Sequence, residues 1–315
     1  MMKNPVVLIG ALLLAGCATT ESLYNTNRDL DTVSVVSGAT PGVVDTIAVG
    51  RRPVGIAING REKLAYVANS GSDTISVIST TSGRVVATVA VGARPLGLDI
   101  NRAGTLVFVA NGESDSVTVI STATNTAIAT VIVGEGPTGV AVNPAGTLAY
   151  VANQISDTVS VINIATNTVI SSIAVGKRPM GLAVNHSGSR VYVVNSDGDT
   201  MSTIDTALRV VIAAVGVGRG PIGLAIDPSD RFVYVANQRG NSVSVVSTAT
   251  NEVVATVPVA GGPTAVAVNP AGTVVYVVNA STNTVSLIST ATNTVRSVIR
   301  EGNGVALWRG DLAGK

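Results

Sequence analysis

The valine-glycine pair at Val49-Gly50 returns at Val91-Gly92, Val133-Gly134, Val175-Gly176 and Val217-Gly218, then as Val259-Ala260, each 42 residues after the last, with no insertion or deletion. A register this strict means stacked copies of one supersecondary unit, each burying its neighbour's apolar face. The repeat runs from about Tyr24 to Leu307 without a linker, so the reading is a single domain. Charged residues are 12% of the chain, about half the usual globular share, so most side chains must be buried between layers. Aromatic residues are only 3%, which leaves that burial to Val, Ile, Leu and Ala. The β-branched members of that set suit a pleated sheet.

Residues 133–174 serve as the type unit. Apolar segments at 138–142, 148–152, 158–162 and 169–174 are separated by turn residues such as Asn143-Pro144-Ala145-Gly146 and Ala165-Thr166-Asn167. Four short strands so spaced predict an antiparallel meander. Their apolar residues do not alternate strictly, which predicts a sheet covered on both faces. Repeated at one short period, such a sheet is a propeller blade. Pro53 and its in-phase counterparts open each first strand, where a missing amide donor is tolerated. Gly55, Gly97, Gly139, Gly181 and Gly223, with Ala265 as the sixth, fit a crowded axis. Asn27, Asn69, Asn111, Asn153, Asn195, Asn237 and Asn279 end each second strand, and Asp or Asn recurs four residues later, as expected of side chains that accept turn amides.

Six full units begin at residues 49, 91, 133, 175, 217 and 259. Tyr24 to Ile47 supplies strands two to four of a further unit, and Gly302 to Leu307 resembles its shortened first strand. The predicted fold is an all-β, seven-bladed propeller of four-stranded antiparallel blades, closed by the N-terminal outer strands pairing with a C-terminal inner strand. Six blades with frayed ends is the rival count. The segments Tyr66-Val67-Ala68-Asn69, Tyr150-Val151-Ala152-Asn153, Tyr192-Val193-Val194-Asn195, Tyr234-Val235-Ala236-Asn237 and Tyr276-Val277-Val278-Asn279 resemble the YVTN family of β-propeller repeats. The resemblance implies a seven-bladed propeller on an exported or surface protein, without implying one activity.

The N-terminus reads as a processing signal: Lys3, then an apolar stretch from Val6 to Ala15 too short to span a bilayer, then Leu14-Ala15-Gly16-Cys17. Those four residues resemble a bacterial lipobox. The resemblance implies removal of residues 1–16 and lipidation of Cys17; the extent of the repeat then sets a tether over 17–23, a propeller over 24–308 and a tail over 309–315. With Ala18 after the cysteine, an outer-membrane address is expected if the source is Gram-negative. Cys17 is the only cysteine, which rules out a disulfide and Cys-ligated zinc within the chain. Basic and acidic side chains number 20 and 19, a balance that argues against nucleic acid as the main partner.

If repeated residues serve the fold, function belongs where one blade departs from its siblings. The loop entering each first strand varies most. Arg52, Arg94, Lys177, Arg178 and Arg219 fall there and form a candidate anion-attracting ring at one mouth of the channel. The alternative is a solvated lattice in which they pair with Asp73, Glu113, Asp115, Asp157, Asp197 and Asp199. His186, the only histidine, lies in a turn on the opposite face and reads as a surface residue. Asp227 stands where the type unit has Asn143 and reads as a turn residue. Asp99 replaces the alanine found at Ala57, Ala141, Ala183, Ala225 and Ala267, so it needs a partner or a raised pKa.

The functional expectation from sequence is a non-enzymatic, envelope-tethered binding or scaffold module for a protein, glycan or small anion, with no catalytic residue, metal or cofactor assigned. Its membrane contact would come through the lipid anchor alone. The alternative is a lactonase-like hydrolase using channel carboxylates and a divalent metal, by resemblance to propeller lactonases. Asp99 discriminates: beside other carboxylates in the channel it favours hydrolysis, whereas isolated or facing a neighbouring blade it favours binding.

Overall fold

The computed structural model describes residues 14–15, 22–37 and 43–300. Those residues form seven four-stranded antiparallel sheets and no helix. Blades two to seven span 53–90, 95–132, 137–174, 179–216, 221–258 and 263–300, and in each the strands neighbour one another in chain order. The first strands, such as Pro95–Ile100 and Pro137–Val142, pack successively around the axis, while the fourth strands form the perimeter. The expected seven-bladed, all-β propeller is therefore the observed fold. Blade one contains the three predicted outer strands, Ser22–Asn27, Thr32–Ser37 and Val43–Ala48. Its inner position is taken by a two-residue strand, Leu14–Ala15, which pairs with Leu23 and Ser22. The expected closing strand, Gly302 to Leu307, lies outside the described residues, as does Cys17.

The core sits between blades. Tyr66, Ala68, Ile75 and Val77 of blade two pack on Leu98, Val107, Val109 and Ile120 of blade three, and the same contact recurs around the ring. Second and third strands are accordingly buried on both faces, which is why their apolar residues run continuously rather than alternating. Fourth strands carry the exposed residues and a register shift in the middle of each, an irregularity that blunts an edge strand.

Two repeated residues tie the blades internally and to each other. Asn153, fully buried, donates from Nδ2 to Thr158 Oγ1 at 3.0 Å and Ser160 Oγ at 2.9 Å. Its carboxamide fills the space a side chain on Gly134 would need, since a Cβ there would lie 2.6 Å from Nδ2. Asn153→Ala removes both bonds and leaves a void, for an expected loss of about 2 kcal/mol in urea unfolding. The recurring acid works across the blade boundary: Asp73 Oδ1 accepts the amide of Arg94 at 2.8 Å, and Asp157 Oδ1 that of Arg178 at 2.7 Å. Asp73, Asp115, Asp157, Asp199 and Asn241 all have φ between 46° and 55°, the left-handed region that Asp and Asn tolerate best. The sequence assigned these side chains to turn amides. The amide each accepts belongs to the next blade's entry loop, 21 residues on.

Candidate functional site

Each inner strand runs between two faces. The upper face carries the entry loops and the turns between second and third strands, which bond to each other, as in Gly112 N donating to Arg94 O at 2.9 Å. The lower face carries the turns after the first and third strands. The predicted basic residues all lie on the upper face. Arg94 pairs with Glu113 at 3.5 Å, Lys177 with Asp157 at 2.5 Å and Arg178 with Asp197 at 3.7 Å. Three of the five thus belong to the solvated lattice that was the alternative reading, whereas Arg52 and Arg219 form no ion pair among the described residues. The lattice has one member not foreseen, Arg239, which reaches Asp197 at 3.2 Å and the carbonyl of Ser196 at 2.6 Å.

Sequence reasoning also passed over Arg28. It occupies the position held by Ser70, Gly112, Gln154, Ser196, Gln238 and Ala280 in the other blades, and only 9% of it is exposed. Burial holds its guanidinium below the usual arginine range, with Arg52 and Arg94 adding to that effect and Asp29 opposing it. The signal was legible as a blade-specific charge in the turn between second and third strands, but no local pattern marks that turn position as buried.

Asp99 is the fifth residue of the inner strand Pro95–Ile100 and therefore sits near the lower end of the channel, roughly 16 Å along the strand from Arg94 at ~3.3 Å per residue. Among inner strands two to seven it is the only carboxylate. Its Oδ1 accepts the amide of Ile100 at 2.8 Å and its Oδ2 that of Val142, on the inner strand of blade four, at 2.8 Å. Asp99 is half-buried. That burial pushes its carboxyl up to about 6, against the lowering effect of the two amides. Asp99 and the basic upper rim are not brought together.

Asp227 does what the sequence assigned to it. Its Oδ1 accepts Arg231 N at 2.6 Å and Phe232 N at 2.7 Å, matching Asn143 with Thr147 N and Leu148 N. His186 lies on the lower face as expected, but it is not a bare surface residue, for its Nδ1 is 2.6 Å from Asp230 Oδ1.

No group of three or more His, Cys, Asp or Glu gathers to hold a metal among the described residues. The donor set therefore does not fit a carboxylate-held divalent metal, and Asp99 has no second acid to share a paired-carboxylate mechanism.

The sequence matches the model of a family described as lactonase, 7-bladed beta-propeller, over residues 19–130 and 219–298. The chain belongs to this lactonase propeller family. That membership overturns the expectation of a non-enzymatic module, because the family is of hydrolase type. Asp99 is isolated from other carboxylates and bonded to the neighbouring blade, the arrangement expected of a binding module, so the family match and not the placement of Asp99 makes this correction. Among solved structures, the chain is similar to hydrazine synthase of Kuenenia stuttgartiensis, with a TM-score of 0.81, 21% identity, and coverage of 92% of this chain and 99% of that one. It is also similar to a functionally unknown protein from Desulfotomaculum acetoxidans, with a TM-score of 0.77, 18% identity, and coverage of 88% and 96%. At these identities the likeness is one of fold. None of the curated proteins matches the sequence.

Proposed function

We propose that this lactonase-family propeller opens small cyclic esters by hydrolysis at the lower end of its channel, with Asp99 as general base. The observation that carries the proposal is the placement of one carboxylate on an inner strand, at a position held by alanine in five other blades, with its pKa raised to about 6. A base poised near the working pH is mostly ionised yet still binds a proton usefully, which is the condition for efficient proton transfer. Asp99 takes a proton from the water that attacks the ester carbonyl. The two amides on its oxygens fix its orientation while leaving lone pairs for that water.

At the opposite mouth, we read Arg52, Arg94, Arg178, Lys177 and Arg219 as a field that draws small anions towards the channel. The lipobox resemblance supports export and tethering through Cys17. The experiment is a panel of neutral and anionic lactones followed by pH-stat. Expected are turnover whose kcat/KM rises as pH passes through about 6 and a preference for anionic lactones that weakens in high salt. Absence of turnover on every lactone at pH 8 would sink the hydrolase reading.

A further inference from the structure

One buried hydroxyl lacks a partner where the ring must close. Thr138, the second residue of the inner strand Pro137–Val142, places its Oγ1 3.2 Å from Ala152 O in its own blade, and 3.3 Å and 3.0 Å from Pro179 O and Met180 O, which open the next inner strand. Thr264 stands at the same phase in blade seven and is wholly buried as well. Its Oγ1 has no hydrogen-bond partner. A buried hydroxyl left unbonded keeps its full desolvation cost, so native structures rarely hold one without a reason. The acceptors that Thr138 uses across the blade boundary lie 41 and 42 residues on. For Thr264 those positions are Val305 and Ala306.

The neighbour that Thr264 awaits is the inner strand of blade one, whose described part is short. Leu14–Ala15 pairs with Leu23 and Ser22, at the lower end of the second strand Ser22–Asn27. Elsewhere the ladder reaches the upper end, where Pro53 faces Asn69, Pro137 faces Asn153 and Pro263 faces Asn279. Their counterpart Asn27 has no inner residue opposite it among the described residues. An open stretch of sheet edge is a template for another strand.

The chain beyond Arg300 has the sequence that this opening requires. An inner strand begins five residues after the preceding fourth strand ends, as Pro95 follows Ala90 and Pro263 follows Pro258, and from Arg300 that count reaches Val305. Gly302 is in phase with Gly50, Gly134 and Gly218, where a Cβ would come within 2.5 to 2.6 Å of the buried asparagine carboxamide that ends the second strand. In blade one that asparagine is Asn27. Gly304 is in phase with Arg52, Gly136 and Gly262, at φ 53°, 66° and 65°, whose amides are accepted by Asp31, Asp115 and Asn241. The matching acceptor for Gly304 is Asn283, itself at φ 50°. We propose that residues 302–306 of the same chain dock as the upper half of blade one's inner strand, with Val305 opposite Asn27 and the carbonyls of Val305 and Ala306 accepting Thr264 Oγ1. The docked run stops before Leu307, which falls at the ring position of Gly55 and Gly97, where a Cβ would meet the next strand's carbonyl at 2.3 Å and 2.4 Å. The closing strand expected from sequence is thereby narrowed, and its latch is named independently of the hydrolase reading.

The test is urea unfolding of Thr264→Val in the full chain, because docking decides the sign of its effect. With Val305 and Ala306 in place the valine gives up a bond, so the unfolding constant should rise about tenfold and the urea midpoint fall, as for Thr138→Val, whose bonds are already made. With no strand docked, the valine removes an unbonded buried hydroxyl and the midpoint should rise. Gly302→Val is the second variant. A docked segment would drive its side chain into Asn27 and lower the midpoint, whereas Gly310→Val, beyond the docked run, should leave the midpoint unchanged. A raised midpoint for Thr264→Val, or a Gly302→Val protein that unfolds like the Gly310→Val control, overturns the proposal. If Gly302→Val does not fold, the sign for Thr264→Val decides alone. Light scattering on the wild-type chain separates the remaining occupant: a monomer supports docking within one chain, and a dimer that shows both stability losses assigns the segment to a second copy and overturns it.

Discussion

Valine in place of Gly97 is expected to destabilise the propeller by roughly 3 kcal/mol or more, seen as a large drop in the urea midpoint or as failure to fold. A Cβ on Gly97 would lie 2.4 Å from the carbonyl oxygen of Thr138 and 3.0 Å from Gly139 Cα, both backbone atoms of the next inner strand. Neither can rotate away as a side-chain tip would. The same carbonyl contact recurs at Gly55 with Leu96 O at 2.3 Å, Gly139 with Met180 O at 2.6 Å and Gly223 with Thr264 O at 2.5 Å, so a shift at one position is passed to the next around the ring. Gly60→Ala is the control. Nothing lies within 4 Å of a Cβ there, and its effect should stay within about 0.5 kcal/mol. If Gly97→Val matches that control, close approach of inner strands is not what fixes the channel radius.

The glycine ring shows why so much of the fold could be read in advance. A residue demanded at the same phase in every blade is visible as a pattern in one chain, and the physical demand behind it, backbone against backbone, is the same each time. Asn153 and Asp157 were legible on the same ground, although sequence could not say that Asp157 reaches the next blade's amide rather than its own turn. Single-blade features were harder. Asp99 stood out because five alanines surround it in phase, but its raised pKa depends on the enclosure created when inner strands converge, which no local pattern encodes. The His186 and Asp230 pairing was missed because each was compared with its own turn, while their contact joins residues 44 apart through the blade interface. Arg28 was missed because burial at the rim was not anticipated for a charged residue in a turn.

Asp99→Ala is expected to raise stability at pH 8 by about 2 kcal/mol, lower it by about 1 kcal/mol near pH 3.5, and reduce lactone turnover at least about 100-fold. Folding lifts the carboxyl from 3.8 to about 6. Between those values the native chain holds the proton more tightly than the unfolded one. The stability this confers is fully present below 3.8 and is lost as pH rises through 6. A difference of about two pKa units corresponds to roughly 3 kcal/mol of destabilisation once Asp99 is ionised. Alanine removes the ionised group at a position where Ala57, Ala141, Ala183, Ala225 and Ala267 already fit the repeat. It also gives up the bond from Val142 N, which accounts for the small loss at low pH and for a crossing of the two stability curves near pH 5. Asp99→Asn should share the loss of turnover and much of the gain at pH 8, since the charge is what costs stability there. Urea midpoints for wild type and Asp99→Ala that run parallel from pH 3.5 to 8 would show that folding does not perturb the carboxyl. Asp99 would then lack the property that recommends it as a base, and hydrolysis would have to be sought elsewhere on the lower rim.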